Sequence, residues 1–246
     1  MNNLEENTLK GKNIICTYPP EDQDDFSEMI CATGARVLSF PMIEISHLPF
    51  QPKHPPGHYN WLVFTSKNGV RAFYSHYHAT EKWKIAALGK STANELKCQG
   101  ISVHFSGSGK SAEYFAEELL LFLPAGQIIL LALGTLAPET LREKLILSHS
   151  VERVNVYRTS KPHKADRGIL QRIEDDQYDL IIISSPSAIR NLWSFLTKNK
   201  EHLRLVSIGQ TTTTAIRQLK LEPVITASES SYKGLAKATI DYLGKH

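Results

Sequence analysis

Apolar and polar residues alternate along the chain in a way that predicts short buried strands separated by amphipathic helices. Short apolar runs at residues 13–17, 61–65 and 180–184 are each followed by a stretch with helical periodicity. Residues 181–183 are consecutive isoleucines, which is typical of a strand with two buried faces in a parallel sheet. Strand and helix patterns alternate throughout, and this alternation predicts an α/β fold.

The chain contains an internal repeat with a long spacing. Residues 88–115 and 207–235 each contain a strand end, a glycine turn rich in hydroxyls, a helix, a short strand and a second polar turn. In the first copy the short strand is predicted at residues 101–105. An offset of 120 aligns Gly89 with Gly209 and Thr92 with Thr212, and the preceding segments align with an offset of 119. Because this period is too long for a solenoid, the repeat indicates two similar domains.

A second, fainter repeat relates residues 11–18 to residues 126–133, so that a short and a long unit alternate twice. One arrangement inserts the middle long and short units as a domain into another domain made from the two chain ends. The alternative is two sequential domains divided near Pro124. The periodicity alone leaves both arrangements open.

Composition narrows the class of protein. The 246 residues, 41% apolar and 22% charged, suit one large or two small globular domains. A net charge of +3 without a run of Lys or Arg permits an anionic small ligand and gives no indication of nucleic acid. No apolar run is long enough to span a membrane, and the first residues do not form a signal peptide. We therefore expect a cytoplasmic protein with neither nucleic acid nor membrane as a partner.

Three cysteines without a C-x-x-C pair fit a reducing compartment. Cys16, Cys31 and Cys98 all lie in apolar contexts, and we predict that they belong to the core.

Hydroxyl-bearing residues gather where predicted strands end and helices begin. Open parallel sheets bind ligands at this edge, and helix starts hold anions. The same hydroxyls also suit helix N-caps, and one residue can serve both purposes. The candidate ligand-binding residues are Thr65, Ser66, Ser91, Thr92, Ser185, Ser187, Gly209, Thr211 and Thr212.

Two other motifs indicate no site. The histidines His54, His58, His76 and His78 lack the Cys or carboxylate of a usual ligand set, so we predict no metal. Residues 107–111 resemble the end of a phosphate-binding loop, but His104 stands where that motif requires its upstream glycine. We therefore predict no nucleotide site.

Five short motifs together resemble one family. They are F-T-S-x-N-G-V-x-A-F from residue 64, V-x-V-Y-R-T from 154, S-P-S-A-I-R-N from 185, I-G-x-T-T from 208 and S-x-x-x-G-L from 230. Each motif is weak alone. At this spacing, over about residues 12–243, the chain resembles the uroporphyrinogen-III synthases.

The resemblance implies two flavodoxin-like α/β domains with parallel sheets, one inserted in the other. It favours a discontinuous domain of residues 1–42 and 160–246 and an inserted domain of residues 46–154. A two-stranded linker of residues 43–45 and 155–159 would join them.

The resemblance also implies a monomeric enzyme, a lyase, without a metal or an organic cofactor. The substrate would be hydroxymethylbilane, a linear tetrapyrrole with eight carboxylates. The reaction would remove the hydroxyl of ring A, invert ring D through a spiro intermediate and close the macrocycle with net loss of water. A transient contact with hydroxymethylbilane synthase, which makes the substrate, is also allowed.

In this family a tyrosine of the V-Y-x-T strand is the favoured proton donor, and it corresponds to Tyr157. A phenol is protonated at neutral pH and can donate to a leaving hydroxyl. The alternative is a half-buried strand tyrosine that only packs. The hydroxyls of the two repeats would form two walls that hold the flexible substrate in a folded shape, and such orientation lowers a barrier.

Two departures from the family pattern concern charge. Tyr18 stands where the first strand of many members ends in an arginine, and the turn after residue 133 lacks the arginine that many members carry. Substrate carboxylates would then need other partners, for which the candidates are Lys67, Lys90, Arg158 and Lys233. A rival interpretation is a two-lobed module that binds an anion without chemistry.

Overall fold

The computed structural model describes residues 8–19, 24–77 and 83–245, and within them the chain forms eleven strands and nine α-helices. The strands are β1 (Asn13–Cys16), β2 (Arg36–Ser39), β3 (Glu44–His47), β4 (Trp61–Phe64), β5 (Lys84–Ala87), β6 (Phe105–Ser106), β7 (Ile128–Gly134), β8 (Ser150–Ser160), β9 (Leu180–Ile183), β10 (Leu205–Ser207) and β11 (Ile225–Thr226). The helices are α1 (Asp24–Cys31), α2 (Lys67–Tyr74), α3 (Lys90–Cys98), α4 (Ala112–Phe122), α5 (Thr140–Leu145), α6 (Arg167–Glu174), α7 (Pro186–Phe195), α8 (Gln210–Gln218) and α9 (Tyr232–Leu243).

The chain divides into two compact units. The first unit comprises Met1–Glu44 and Ser160–His246, and the second unit comprises Ile45–Thr159. Strand β3 contains residues 44–45 of the predicted linker segment 43–45, and β8 contains the whole predicted segment 155–159. The two strands are neighbours in one sheet.

The first unit is built on a five-stranded parallel sheet with the order β11-β10-β9-β1-β2. Alternate residues of β9 enter two different cores. Ile181 and Ile183 pack with residues of α7 and α8, whereas Leu180 and Ile182 pack with residues of α1 and α9. The run of isoleucines is therefore explained by helices on both faces of the sheet.

The second unit contains a six-stranded sheet with the order β3-β8-β7-β4-β5-β6. The strands from β8 to β6 pair in parallel. Leu62 and Phe64 of β4 pack with residues of α2 and α3, and Trp61 and Val63 pack with residues of α4 and α5.

The two sheets share one topology. In the second unit the order β8-β7-β4-β5-β6 corresponds to β2-β1-β9-β10-β11 in the first, which is the flavodoxin-like order 2-1-3-4-5. The short β-α-β segment comes first in one unit and last in the other, so the second unit is a circular permutation of the first. The predicted α/β fold class is confirmed, and this permutation accounts for both sequence repeats.

Some sequence predictions were wrong in detail. Residues 101–105 do not form a full strand, because the Ile101 N–H donates to the Leu96 carbonyl at 2.9 Å and closes α3. Only Phe105–Ser106 pairs with β5. Cys16 is buried as predicted, but Cys31 and Cys98 are exposed, because each is the last residue of a helix and lies on its solvent side. No helix in the described ranges has the length and apolar character needed to cross a bilayer.

A carboxylate fastens the end of α6 to the loop that follows α7. Glu174 is 9% exposed, and its Oε1 accepts hydrogen bonds from Thr197 N, Thr197 Oγ1 and Lys198 N at 2.6, 2.7 and 3.2 Å. The bond from the Thr197 backbone N–H and the bond from its hydroxyl lower the pKa of Glu174, because both favour the ionised form.

Glu174→Gln should lower the thermal unfolding midpoint by a few degrees at pH 7, because the amide cannot make charge-assisted hydrogen bonds. Since folding lowers the pKa of Glu174, its stabilisation is complete above the ordinary glutamate pKa. That stabilisation is lost as the pH falls towards the lowered pKa. The gap between wild type and variant should therefore stay constant from pH 7 down to about 4.3 and narrow below that pH. Unfolding scans from pH 7 to about pH 3 test this, with exposed Glu201→Gln as the control. A gap that does not narrow at the acidic end would contradict the assignment.

Candidate active site

The carboxyl end of β4 carries a hydroxyl that has two roles. Ser66 is the N-cap of α2, and its Oγ accepts a hydrogen bond from Gly69 N at 3.1 Å. The same Oγ lies 3.0 Å from the phenol oxygen of Tyr157 on β8. The sequence predicted both residues as site residues on separate grounds, and the structure brings them into contact.

A local irregularity of the sheet aims Tyr157 at Ser66. The register between β7 and β8 shifts between Leu133 and Gly134, and Gly134 then lies opposite Tyr157. A Cβ at Gly134 would lie 2.5 Å from Cζ of the tyrosine ring. The Tyr157 ring therefore packs directly against the backbone of β7, and only a glycine at position 134 leaves space for it.

Arg153 holds the turn that follows β7. Its guanidinium donates to the carbonyls of Gly134 and Ala137 at 3.0 and 2.9 Å and to the Glu139 carboxylate at 2.7 Å. Its Nε also donates to Asn155 Oδ1 at 3.1 Å. The side chain is 11% exposed. Sequence reasoning missed Arg153, because an arginine in an alternating strand ordinarily indicates an exposed position.

A cavity of about 400 Å³ opens beside the phenol of Tyr157. It is lined by Thr65, Ser66, Leu88, Ala112, Gly134, Leu136, Ala137, Pro138, Tyr157 and Thr159. Tyr157 is half-buried and lines this cavity, and its position is set by the ring's contact with Gly134 and by Ser66 Oγ at 3.0 Å from the phenol oxygen. A proton donor requires this combination of a fixed position and access to a ligand.

A second cavity, of about 460 Å³, lies where α2 and α3 begin. It brings together the four hydroxyl residues predicted for this unit, Thr65, Ser66, Ser91 and Thr92, with the cationic side chains of Lys67 and Lys90. Ser91 is exposed, whereas Thr92 is only 4% exposed. Two helix starts and two ammonium groups make this edge favourable for anions.

The first unit places its predicted residues at the equivalent edge. Ser185 caps α7 by accepting from Ala188 N at 3.2 Å, and its Oγ lies 3.1 Å from that of Ser187. Gly209 precedes α8, where a Cβ would collide with Ser230. Thr211 is exposed, but Thr212 is 2% exposed and packs inside the unit.

Sequence reasoning also missed a buried hydroxyl network behind this edge. Thr213 Oγ1 lies 3.0 Å from Ser207 Oγ and 2.7 Å from Thr226 Oγ1, which joins α8 to β10 and β11. Ser207 Oγ in turn donates to the Gly209 carbonyl at 3.0 Å. The run of four threonines is the only sign in the sequence, and helical periodicity decides which of them face the sheet.

The structure shows what surrounds the two positions at which this chain lacks an arginine that many family members carry. Tyr18 is fully buried, with its ring centroid 4.6 Å from that of Tyr232, so it does not replace a ligand-binding arginine. The turn after β7 lacks an arginine of its own, and its carbonyls are held by Arg153. Arg158 and Lys233 are both exposed.

The segment that resembles a phosphate loop already holds a carboxylate. The Ser108 N–H donates to both oxygens of Glu118 at 3.2 and 3.1 Å. A Cβ at Gly107 would lie 2.6 Å from the same carboxylate. The backbone that would bind phosphate is thus occupied from within the unit.

The histidines form a separate cluster. The rings of His54 and His58 lie 4.0 Å apart, and both line a cavity of about 500 Å³. Tyr59, which also lines it, donates to Glu152 at 2.6 Å; burial and this hydrogen bond raise the pKa of Tyr59 to about 12. Across the parts of the chain that are described, no three His, Cys, Asp or Glu residues are arranged to hold a metal ion. His78 lies outside the described residues.

A family model and two related sequences all place this chain in the same family. The family model described as uroporphyrinogen-III synthase HemD matches residues 24–237. The uroporphyrinogen-III synthase of Synechococcus elongatus is 26% identical over 259 residues, which cover 96% of this chain and 97% of that protein. The porphyrin biosynthesis protein HemD of Ruminiclostridium josui is 23% identical over 235 residues, covering 88% of this chain and 46% of that protein. The chain thus spans less than half of the second relative.

Solved structures support the fold. Uroporphyrinogen-III synthetase from Helicobacter pylori is similar with a TM-score of 0.68 and 17% identity, over 94% of this chain and 99% of that chain. A mutant uroporphyrinogen III synthase from Thermus thermophilus has a TM-score of 0.56 and 17% identity, over 96% of this chain and 100% of that chain. At these identities the likeness concerns the fold alone.

Gly134→Ala should destabilise the chain by about 1–3 kcal/mol, because the new methyl group overlaps the Tyr157 ring. Denaturant unfolding measures the change. Gly57→Ala is the matched control, because a Cβ there meets nothing within 4 Å. In a Tyr157→Ala background, Gly134→Ala should lower the free energy of unfolding much less, because the space of the tyrosine ring is then empty. Equal costs in both backgrounds would contradict the contact.

Proposed function

The chain belongs to the uroporphyrinogen-III synthase family, and we propose that it converts hydroxymethylbilane into uroporphyrinogen III as a lyase of porphyrin biosynthesis. The linear tetrapyrrole would close with inversion of ring D and loss of one water. The observation that carries this proposal is the family match over residues 24–237. The contact between Tyr157 and Ser66 beside an accessible cavity supports it.

In the proposed reaction Tyr157 is the proton donor. Its phenol gives a proton to the hydroxyl of ring A, the C–O bond breaks, and water leaves. The carbon of ring D that forms the last bond of the macrocycle releases a proton, which balances the proton given by the phenol. Ser66, at 3.0 Å, orients the phenol and can accept a hydrogen bond from it.

The carboxylates of the substrate would be held at the hydroxyl-rich strand edges. Ser66, Ser91 and the lysines Lys67 and Lys90 offer hydrogen bonds and positive charge in the second unit. Ser185, Ser187 and Thr211 are the corresponding candidates in the first unit. Hydrogen bonds to charged groups contribute about 1.5–3 kcal/mol each, so several moderate donors suffice to bind a polyanion.

Other sequence predictions remain predictions. These are the monomeric state, the cytoplasmic location, the absence of a metal and an organic cofactor from the reaction, and the transient contact with hydroxymethylbilane synthase.

An assay of isomer formation tests the proposed function. Purified hydroxymethylbilane synthase would generate the substrate, and the porphyrins would be separated after oxidation. Formation of the type III isomer that depends on this chain supports the synthase. The type I isomer, which forms spontaneously, would be the sole product if the chain were only a binding module, and this result would overturn the proposal.

Tyr157→Phe should lower kcat for type III formation by about a hundredfold, the lower end of general-acid contributions. The phenyl ring still packs on Gly134, so the unfolding midpoint should change little. Rates measured with the coupled assay, alongside an unfolding scan of the same preparation, separate the two effects. An unchanged rate would remove Tyr157 from the role of proton donor.

Ser66→Ala should cost about 1 kcal/mol of stability through loss of an N-cap, and it should also lower kcat. Ser111→Ala is the matched control, because Ser111 caps α4 in the same unit by accepting from Tyr114 N at 3.1 Å. Both variants should lose similar stability, measured by denaturant unfolding, whereas only Ser66→Ala should slow the reaction. Equal slowing by both variants would mean that Ser66 acts through stability alone.

A further inference from the structure

The groove between α7 and α8 differs from its counterpart in the second unit by one interaction. The internal repeat aligns α7 with α2 and α8 with α3, so Arg190 corresponds to Arg71 and Ala215 to Glu95. In the second unit Arg71 Nη2 lies 2.7 Å from Glu95 Oε2, and this ion pair joins α2 to α3. In the first unit the equivalent arginine lies opposite an alanine.

Arg190 lines a cavity in which none of the described lining residues is acidic. The cavity has a volume of about 410 Å³, and its described lining residues are Pro186, Arg190, Gln210, Thr211, Thr214, Ala215 and Gln218. Arg190 Nη2 lies 3.4 Å from Gln218 Oε1, which is long for a hydrogen bond and involves a neutral partner. Within the described ranges, Arg190 takes part in none of the ion pairs that hold other arginines.

The surroundings of Arg190 suit a carboxylate. Gln210 and Thr211 belong to the first turn of α8, where the helix dipole favours negative charge. The hydroxyl of Thr211 adds a further donor on the same side of the groove. A guanidinium can hold both oxygens of a carboxylate with two parallel hydrogen bonds. Arg71 makes a hydrogen bond of this charged kind to Glu95, so the same position in the repeat is known to reach an anion.

We propose that this groove, the α7–α8 subsite, binds one carboxylate of the substrate between Arg190 and Thr211. The subsite rests on the proposed function for the identity of its anion. It supplies positive charge to a unit in which the position of Tyr18 offers none. Because Ala215 stands where the second unit has Glu95, no carboxylate at this position of the repeat competes with a ligand for Arg190.

Kinetics with Arg190→Gln test the subsite. We expect KM for hydroxymethylbilane to rise about tenfold, since the charge-assisted contact between Arg190 and one carboxylate is lost, while kcat changes less than about twofold. Arg190→Lys keeps the positive charge but loses the planar guanidinium group, so its KM should lie between those of the wild type and Arg190→Gln. Arg217→Gln is the control, because Arg217 is an exposed arginine of α8 that pairs with Glu222 at 3.0 Å. It should leave KM unchanged.

Calorimetric titration with uroporphyrin III, an oxidised octacarboxylate porphyrin, measures binding without turnover. Arg190→Gln should weaken binding about tenfold, and Ala215→Glu should weaken it similarly by restoring the ion pair of the second unit. This readout holds even if the wild type forms no type III isomer, so it separates failure of the subsite from failure of the proposed function. Equal affinity of wild type and Arg190→Gln, equal weakening by Arg217→Gln, or no binding by the wild type would each overturn the subsite.

Discussion

Burial of both faces of the central strands is the constraint on which the rest of the structure depends. Strands β4 and β9 have every side chain buried, because helices cover both faces of each sheet. Covering both faces requires each strand to be followed by a helix, and the neighbouring strands are therefore parallel. Parallel strands of one sheet end at the same edge, so the hydroxyls that follow β4 and β5 gather at one edge of the second unit's sheet, and those that follow β9 and β10 gather at the equivalent edge of the first unit's sheet.

Helix capping explains why the turns after β4 and β9 carry hydroxyls. Ser66 and Ser185 each accept a backbone N–H from the first turn of the following helix. A cap stabilises the helix and leaves the remaining lone pair and proton available to a ligand. The structural role and the binding role are thus compatible in one residue, and this is why the sequence could not separate them.

The fold was more predictable than the site. The apolar period of β9 and the two repeats were sufficient to predict the parallel α/β class, because burial imposes a pattern on every residue of a strand. The contact between Tyr157 and Ser66 depends on a register shift at Gly134, and a shift of one residue leaves no mark on an apolar pattern. Arg153 was missed for a related reason, since three of its partners, Gly134, Ala137 and Glu139, come from the end of β7 and the turn after it, whose path the sequence does not define.

The repeat also shows how the two units have diverged within one topology. The second unit closes its α2–α3 groove with an internal ion pair, whereas in the first unit no carboxylate of the described residues pairs with the equivalent arginine. Strong ion pairs to every carboxylate of a substrate would bind ground state and product as tightly as the transition state, and such uniform binding does not raise kcat. Hydroxyl and amide donors, together with a small number of cationic side chains, bind a polyanion with moderate affinity and still hold it in one shape. In the proposed reaction, folding the substrate around a fixed phenol is then the main contribution of the protein, and the rigid support of Tyr157 by Gly134 and Ser66 matters more than added charge.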